Sequence, residues 1–388
     1  MENVNSSLQP TNHESRTTNN ESMHQLKRTS IFLGVLFTFL LTYRPAMGQT
    51  VNGSAFTPSV DSLKGKLLFI TECHEVKTNF PEYLLIINQI TGEFTSSDTL
   101  NVFIEAPFSL TYFINSYLTG NDRLLIDSVL RNDPLKIEFY FAIRKLKKNI
   151  RFIGTDFEYD HGNPGGRFEA FKLYFEQLKN VFAKSNIDLS VIKSFIYGIR
   201  VQGLEEADFY TFKKYIQKLG INQPDAVLKA KLKEANFVLS ALQSVDKTEV
   251  RDKAYYSRMV DILKSGISIE NSCNLMIFGS AHGNAYNEKC LYSKLNYAED
   301  SPFKNKVAIF ANIYLDCLSY GSYNTRSIVL ENVGLYSGSK EDKEIIALIK
   351  KEFKPETENS LMVYKNNITS KLKDMERVHY WGIHYKVK

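Results

Sequence analysis

The chain has 388 residues with 48 basic and 43 acidic side chains, and the net charge of +5 is spread along the sequence. At roughly 100–200 residues per domain this is one large domain or two ordinary ones, and a diffuse charge excludes a dedicated nucleic-acid surface. A hydrophobic content of 43% against 23% charged residues excludes a disordered chain. The four cysteines, Cys73, Cys273, Cys290 and Cys317, contain no C-x-x-C pair, which removes zinc ribbons and thioredoxin-type redox motifs.

Residues 1–29 are polar, and Lys27-Arg28 then precede an uncharged apolar run, Ile31–Tyr43. At 1.5 Å per helical residue this run falls short of the ~30 Å hydrocarbon layer. It reads as the core of a signal peptide, with Ala46-Met47-Gly48 supplying the small residues of a cleavage site. Residues 1–48 are therefore expected to be a leader, with Met23 as an alternative start, and 49–388 to be exported to a periplasmic or extracellular space. An uncleaved N-terminal anchor is the alternative. Export permits disulfides, so a bridge between two of Cys273, Cys290 and Cys317 is expected, with the pair left open.

In chain order, the run Lys66–Thr71 predicts a buried strand and Pro81–Ile90 a helix. Asn101–Ile104 predicts a second strand, followed by a helix over Pro107–Leu118 with proline in its first turn. A helix over Leu135–Lys147 leads to a third strand, Ile150–Thr155. Five amphipathic patterns follow without a strand: Phe168–Phe182, Leu189–Tyr197, Glu205–Leu219, Pro224–Val245 and Asp252–Leu263. Leu275–Gly279 and Val307–Tyr314 are the fourth and fifth strands, and Tyr380–Val387 closes the chain as an edge strand. Short, nearly continuous apolar runs alternating with helices predict an α/β fold. Its mainly parallel central sheet is flanked by helices, with an all-helical insertion, 167–264, between the third and fourth strands. That insertion is expected either to cover one end of the sheet as a lid or simply to pack against it.

No G-x-S-x-G elbow, phosphate loop or G-x-G-x-x-G is present, and His74-Glu75 lacks the second histidine of H-E-x-x-H because Thr78 stands there. What recurs is a titratable residue where each of the first four strands ends: Glu72 and His74, then Glu105, then Asp156, then His282. In open α/β sheets those ends line the ligand crevice. Two carboxylates and two imidazoles meeting there suit general acid–base chemistry. The set Glu72, His74, Glu105 and His282 also suits a divalent metal, and residue type alone leaves both open.

Five motifs in order resemble the erythromycin esterase-like group, in the superfamily that also holds ChaN-type and TraB/TIKI-type proteins. They are Thr71-Glu72-Cys73-His74, Glu105 with the later Ile114–Gly120, Gly154-Thr155-Asp156, Arg251-Asp252-Lys253-Ala254-Tyr255, and Ala281-His282. The resemblance covers residues 66–290. It departs from the family pattern at Thr71, where a glycine is usual, and in the two-residue spacing of Glu72 and His74, which is nearer the ChaN-like branch. The resemblance implies an exported hydrolase of an ester or related bond in a small-molecule substrate, without a cofactor. His74 would be the general base, Glu72 its orienting partner, and His282 and Glu105 the rest of the pocket. Arg251, with Asp156, would bind substrate or a developing oxyanion. Cys73 is set aside as a nucleophile because neighbours on an extended strand point to opposite faces. The alternatives are a metal-dependent, TIKI-like hydrolase or protease and a non-enzymatic, ChaN-like haem or iron binder. No nucleic-acid partner and no stable membrane insertion after cleavage are expected, and the oligomeric state is left open.

Overall fold

The computed structural model describes residues 59–385 except 75, 77, 121–122, 131–132, 159–165, 186, 201–205, 241–247, 265–266, 284–286, 316, 321–327, 332–346, 348–350, 352–359 and 366–378. The expected leader over 1–48 lies outside the described residues. A short helix α1 (Val60–Leu63) leads into β1 (Leu67–Glu72), α2 (Asn79–Gly92), β2 (Leu100–Pro107), α3 (Phe108–Thr119), α4 (Arg123–Val129), α5 (Pro134–Lys145) and β3 (Ile150–Asp156). Five helices follow: α6 (Gly166–Phe182), α7 (Ser190–Arg200), α8 (Glu206–Asn222), α9 (Ala226–Leu239) and α10 (Thr248–Lys264). Then come β4 (Cys273–Gly279), a 3-10 turn (Ser280–His282), α11 (Leu291–Tyr297), β5 (Val307–Leu315), β6 (Cys317–Tyr320), β7 (Ile328–Glu331), β8 (Ser360–Lys365) and β9 (Tyr380–Tyr385).

The main sheet has the order β3-β2-β4-β1-β5-β9-β8. All neighbours from β3 to β9 are parallel, and β8 pairs antiparallel to β9. The α/β class and the five main strands agree with the sequence reading. The C-terminal strand does not: β9 lies inside the sheet between β5 and β8, and the edge is β8. Met362 and Val363 in β8 sit in a stretch whose sequence gives no clean alternation, and only the pairing with β9 defines that strand. Pro107 also differs, standing at the N-cap of α3 rather than in its first turn.

Continuous apolar strands arise because both faces of the sheet are covered. Leu68 and Ile70 of β1 pack into one cluster with Val102, Leu275 and Ile277, while Leu67 and Phe69 point the other way, into a cluster with Phe103, Met276 and Phe278. The five helices between β3 and β4 divide between these faces instead of forming one body. Phe171, Phe195, Phe209 and Leu232, from α6 to α9, belong to the first cluster. Tyr255, Met259 and Ile262, from α10, belong to the second. Each helix has an apolar stripe that needs a partner, and two apolar sheet faces are available.

The expected disulfide is not formed. Cys273 and Cys290 are thiols, and every pair considered contains one of them. Cys273 opens β4, where its Sγ lies 3.8 Å from the Val60 carbonyl oxygen, and the Cys290 Sγ lies 3.6 Å from Ser293 Oγ. Among the described residues no helix is long and apolar enough to cross a membrane.

Candidate active site

The parallel strands deliver their polar ends to one edge. Alternation along β1 puts Glu72 on the face of Leu68 and Ile70, and along β2 it puts Glu105 on the opposite face with Phe103. His74, just past β1, joins the two carboxylates. Its Nδ1 lies 2.9 Å from Glu72 Oε1 and its Nε2 lies 3.5 Å from Glu105 Oε2. Since β4 runs between β1 and β2, the imidazole passes over Gly279, the last residue of β4. A Cβ there would sit 3.0 Å from His74 Nε2 and 3.3 Å from Glu105 Oε2. The close approach of ring to backbone leaves little room for a side chain there, and the Gly279 N–H donates to Glu105 Oε2 at 3.1 Å.

Glu105 is the hub. Its Oε1 lies 3.2 Å from Arg251 Nη2, 3.3 Å from the Tyr255 hydroxyl and 3.5 Å from His282 Nε2. Helix α10 supplies three groups at once. Arg251 and Tyr255, four residues apart, are neighbours on its surface, and Arg251 Nη2 donates to the Tyr255 oxygen at 2.6 Å. Asp252, turned by about 100° from Arg251, pairs with His282 Nδ1. His282 is wedged edge-on against Tyr255 and Phe278, with ring centroids 5.3 and 5.9 Å away. Both imidazoles thus have the same pattern, Nδ1 on a carboxylate and Nε2 toward Glu105. They differ in access, for the His74 side chain is 58% exposed and that of His282 only 6%.

Asp156 is fully buried. It accepts from the Tyr255 hydroxyl at 2.8 Å and from the Phe157 N–H at 2.8 Å, with Arg251 Nη2 3.9 Å away. It therefore stands behind Tyr255 and Arg251, which lie between it and Glu105. Cys73 packs with Val76 and Tyr314, and its Sγ lies 3.8 Å from the His74 carbonyl oxygen.

The electrostatics follow from this geometry. The hydrogen bond to Glu72 raises the His74 imidazole to about 9, with the Glu105 charge adding to it. Burial opposes a charge on His282, but hydrogen bonds to Asp252 and Glu105 outweigh it and bring His282 to about 9 as well. Burial likewise opposes a charge on Glu105, yet the His282 hydrogen bond and both imidazolium charges hold it at about 2. Burial next to Asp156 and Glu105 pushes the Tyr255 phenol far up, so it stays a hydrogen-bond donor.

Of the four residues expected as alternative metal ligands, Glu105 lies 3.5 Å from the Nε2 atoms of both His74 and His282, and His74 also meets Glu72. Among the described residues no group of three His, Cys, Asp or Glu side chains is arranged to hold a metal ion. Asp252, Tyr255 and Gly279 were not singled out as site residues by the sequence reading. The Arg251-Asp252-x-x-Tyr255 spacing was the available signal for the first two, because helical periodicity puts all three on one side of α10.

The fold is shared with solved structures of low sequence identity. Three solved structures align with nearly the whole chain, each at a TM-score of 0.51 and 12% identity. They are an erythromycin esterase EreC mutant in its open conformation (85% of this chain, 92% of that one), a succinoglycan biosynthesis protein (84% and 90%) and a Bacillus cereus protein (84% and 91%). No family model and no curated protein sequence matches the chain.

Proposed function

We propose that the protein is an exported hydrolase that cleaves an ester or related bond in a small molecule by acid–base catalysis. The observation that carries this reading is the pair of carboxylate-held imidazoles whose Nε2 atoms flank Glu105 at the carboxyl edge of the sheet. In its neutral form His74 keeps its proton on Nδ1, toward Glu72, and offers Nε2 as the atom that takes a proton from water. The imidazolium so formed is stabilised by Glu72 and Glu105, as a carboxylate stabilises the histidine of a hydrolytic triad. His282, held protonated by Asp252 and Glu105, gives its Nε2 proton to the leaving oxygen. Arg251, with about a third of its side chain exposed, faces the charge that develops on the carbonyl oxygen. Two groups of one type then carry opposite duties, separated by exposure and by their mutual repulsion.

A panel of chromogenic esters, assayed in chelator with wild type and His74→Ala, tests the reading. Turnover that survives chelator and disappears in the variant supports it. Turnover lost in chelator and restored by one divalent ion would replace it with a metal-dependent reaction. Turnover unaffected by His74→Ala would remove His74 from the mechanism.

A further inference from the structure

A second buried polar cluster lies behind Glu72, and the proposed reaction makes no use of it. Glu82 of α2 and His384 of β9 are both fully buried. The Glu82 Oε2 lies 3.5 Å from His384 Nε2 and accepts from Asn312 Nδ2 at 2.7 Å. A buried carboxylate and a buried imidazole are costly to hold out of water without partners. Strand β9 must also carry Gly382 here, because any side chain at that position would overlap Asn312 and Glu82.

From this pair two paths lead to the site. His384 Nδ1 lies 2.7 Å from the hydroxyl of Thr78, the residue at the N-cap of α2, whose side chain makes no capping hydrogen bond to the helix. The His384 ring also stacks on Tyr314, with centroids 4.4 Å apart and planes 17° from parallel. The Tyr314 hydroxyl donates to Asn79 Oδ1 at 2.9 Å, and Asn79 Nδ2 donates to the Cys73 carbonyl at 2.7 Å and reaches Glu72 Oε2 at 3.4 Å. Tyr83 donates its hydroxyl to the same Glu72 oxygen. One carboxylate oxygen is thus occupied from behind, and the other is left for His74.

We propose that Asn79, Tyr83, Tyr314 and His384 are positioning residues that hold Cys73 and Thr78 in place and fix the Glu72 carboxylate so that Oε1 meets His74 Nδ1. The proposal rests on the reading of His74 as the base, and its consequence is that the C-terminal strand β9 takes part in the site from 306 residues away in sequence. Outside the Glu82–His384 pair the clamp is built of hydroxyl and amide groups, so most of it can be dissected by removing single oxygen atoms.

The test uses Tyr83→Phe and Tyr314→Phe, which keep the buried rings, with Thr78→Val as a third variant. Imidazole 15N shifts of His74, recorded at pH 10 where the ring is largely neutral, report which nitrogen carries the proton. Wild type is expected as a single Nδ1–H tautomer. Both Tyr→Phe variants, folded by near-ultraviolet circular dichroism, are expected to show a mixture of tautomers. With p-nitrophenyl acetate as probe, kcat is expected to fall by roughly 10–100-fold with KM within about twofold, the pattern of lost orientation rather than lost binding. Unchanged tautomer in both variants overturns the proposal. If the tautomer changes but wild-type turnover proves indifferent to His74→Ala, the clamp stands and the reading of His74 as the base falls.

Discussion

The carboxyl edge of the sheet and the helices α6 to α9 are built on opposite principles. At the edge, Glu72, His74, Glu105, His282 and Asp252 form a chain of hydrogen bonds and ion-pair contacts between titratable side chains. Between α6, α7 and α8 the packing is phenylalanine on phenylalanine. Phe195 and Phe212 stack at 3.9 Å, with Phe175 at 5.3 and 5.6 Å from them. The difference teaches where tolerance lies. An apolar cluster is satisfied by volume and shape, whereas a buried charge requires each of its partners.

The largest expected effect belongs to the edge alone. His74→Ala should lower kcat on any ester substrate by roughly 10²–10⁴-fold, the usual worth of a positioned base. Its melting temperature should stay within a few degrees of wild type, since the side chain is mostly exposed. A variant that loses activity and stability together would make His74 structural. The converse substitution, Phe212→Ala, should cost about 3–5 kcal/mol of unfolding free energy in urea titration. At low temperature it should leave the His74 environment and kcat close to wild type. A large loss of kcat in the folded variant would show that the two regions are not independent.

Glu105→Gln sharpens the contrast from inside the edge. It removes a charge-assisted acceptor of Arg251, His282 and the Gly279 N–H, each such bond being worth about 1.5–3 kcal/mol. Both imidazoles should then titrate below their raised values, as read by 1H–15N correlation spectra of the two rings. If neither moves, Glu105 is not the hub described above.

The effect of pH is graded rather than all-or-none, and it has opposite signs for activity and stability. His74 must be neutral to accept a proton, so kcat/KM should rise about tenfold per unit below its pKa, level off near pH 9, and fall beyond as His282 loses its own. Both histidines are raised in the folded protein from 6.5 to about 9. Their stabilising contribution is therefore complete below about 6.5 and is lost as the pH climbs through 9, the exposed position of His74 reducing its share. Urea midpoints should fall over the range where activity rises. Parallel curves would mean that the two imidazoles do not carry both properties.

Much of the fold was legible because burial on both faces writes itself into composition. Leu67–Ile70 and Leu275–Phe278 contain no polar residue to suggest an exposed face, and that alone implies covered parallel strands. The titratable residues at the strand ends were legible for the same reason, standing out as polar interruptions of apolar runs. Where signals were weak the reading failed. Tyr380–Val387 looked like an edge because its neighbour β8 has no pattern of its own. Cysteines shared by one third of the chain looked like partners, but nearness in sequence does not set the Sγ–Sγ distance.

The sequence by itself determined the class of fold, the succession of its main strands along the chain and the residues Glu72, His74, Glu105 and His282 at their ends, because hydrophobic period and strand termination are local properties. Only the tertiary structure decided how those groups are used. That β4 lies between β1 and β2, so that His74 crosses Gly279 to reach Glu105, is a matter of strand order. That Asp252 holds His282, and that His384 stands behind Glu72, depends on contacts between residues 30 and 300 positions apart. Such pairings are chosen by the free energy of the whole packed core, and no local pattern encodes them.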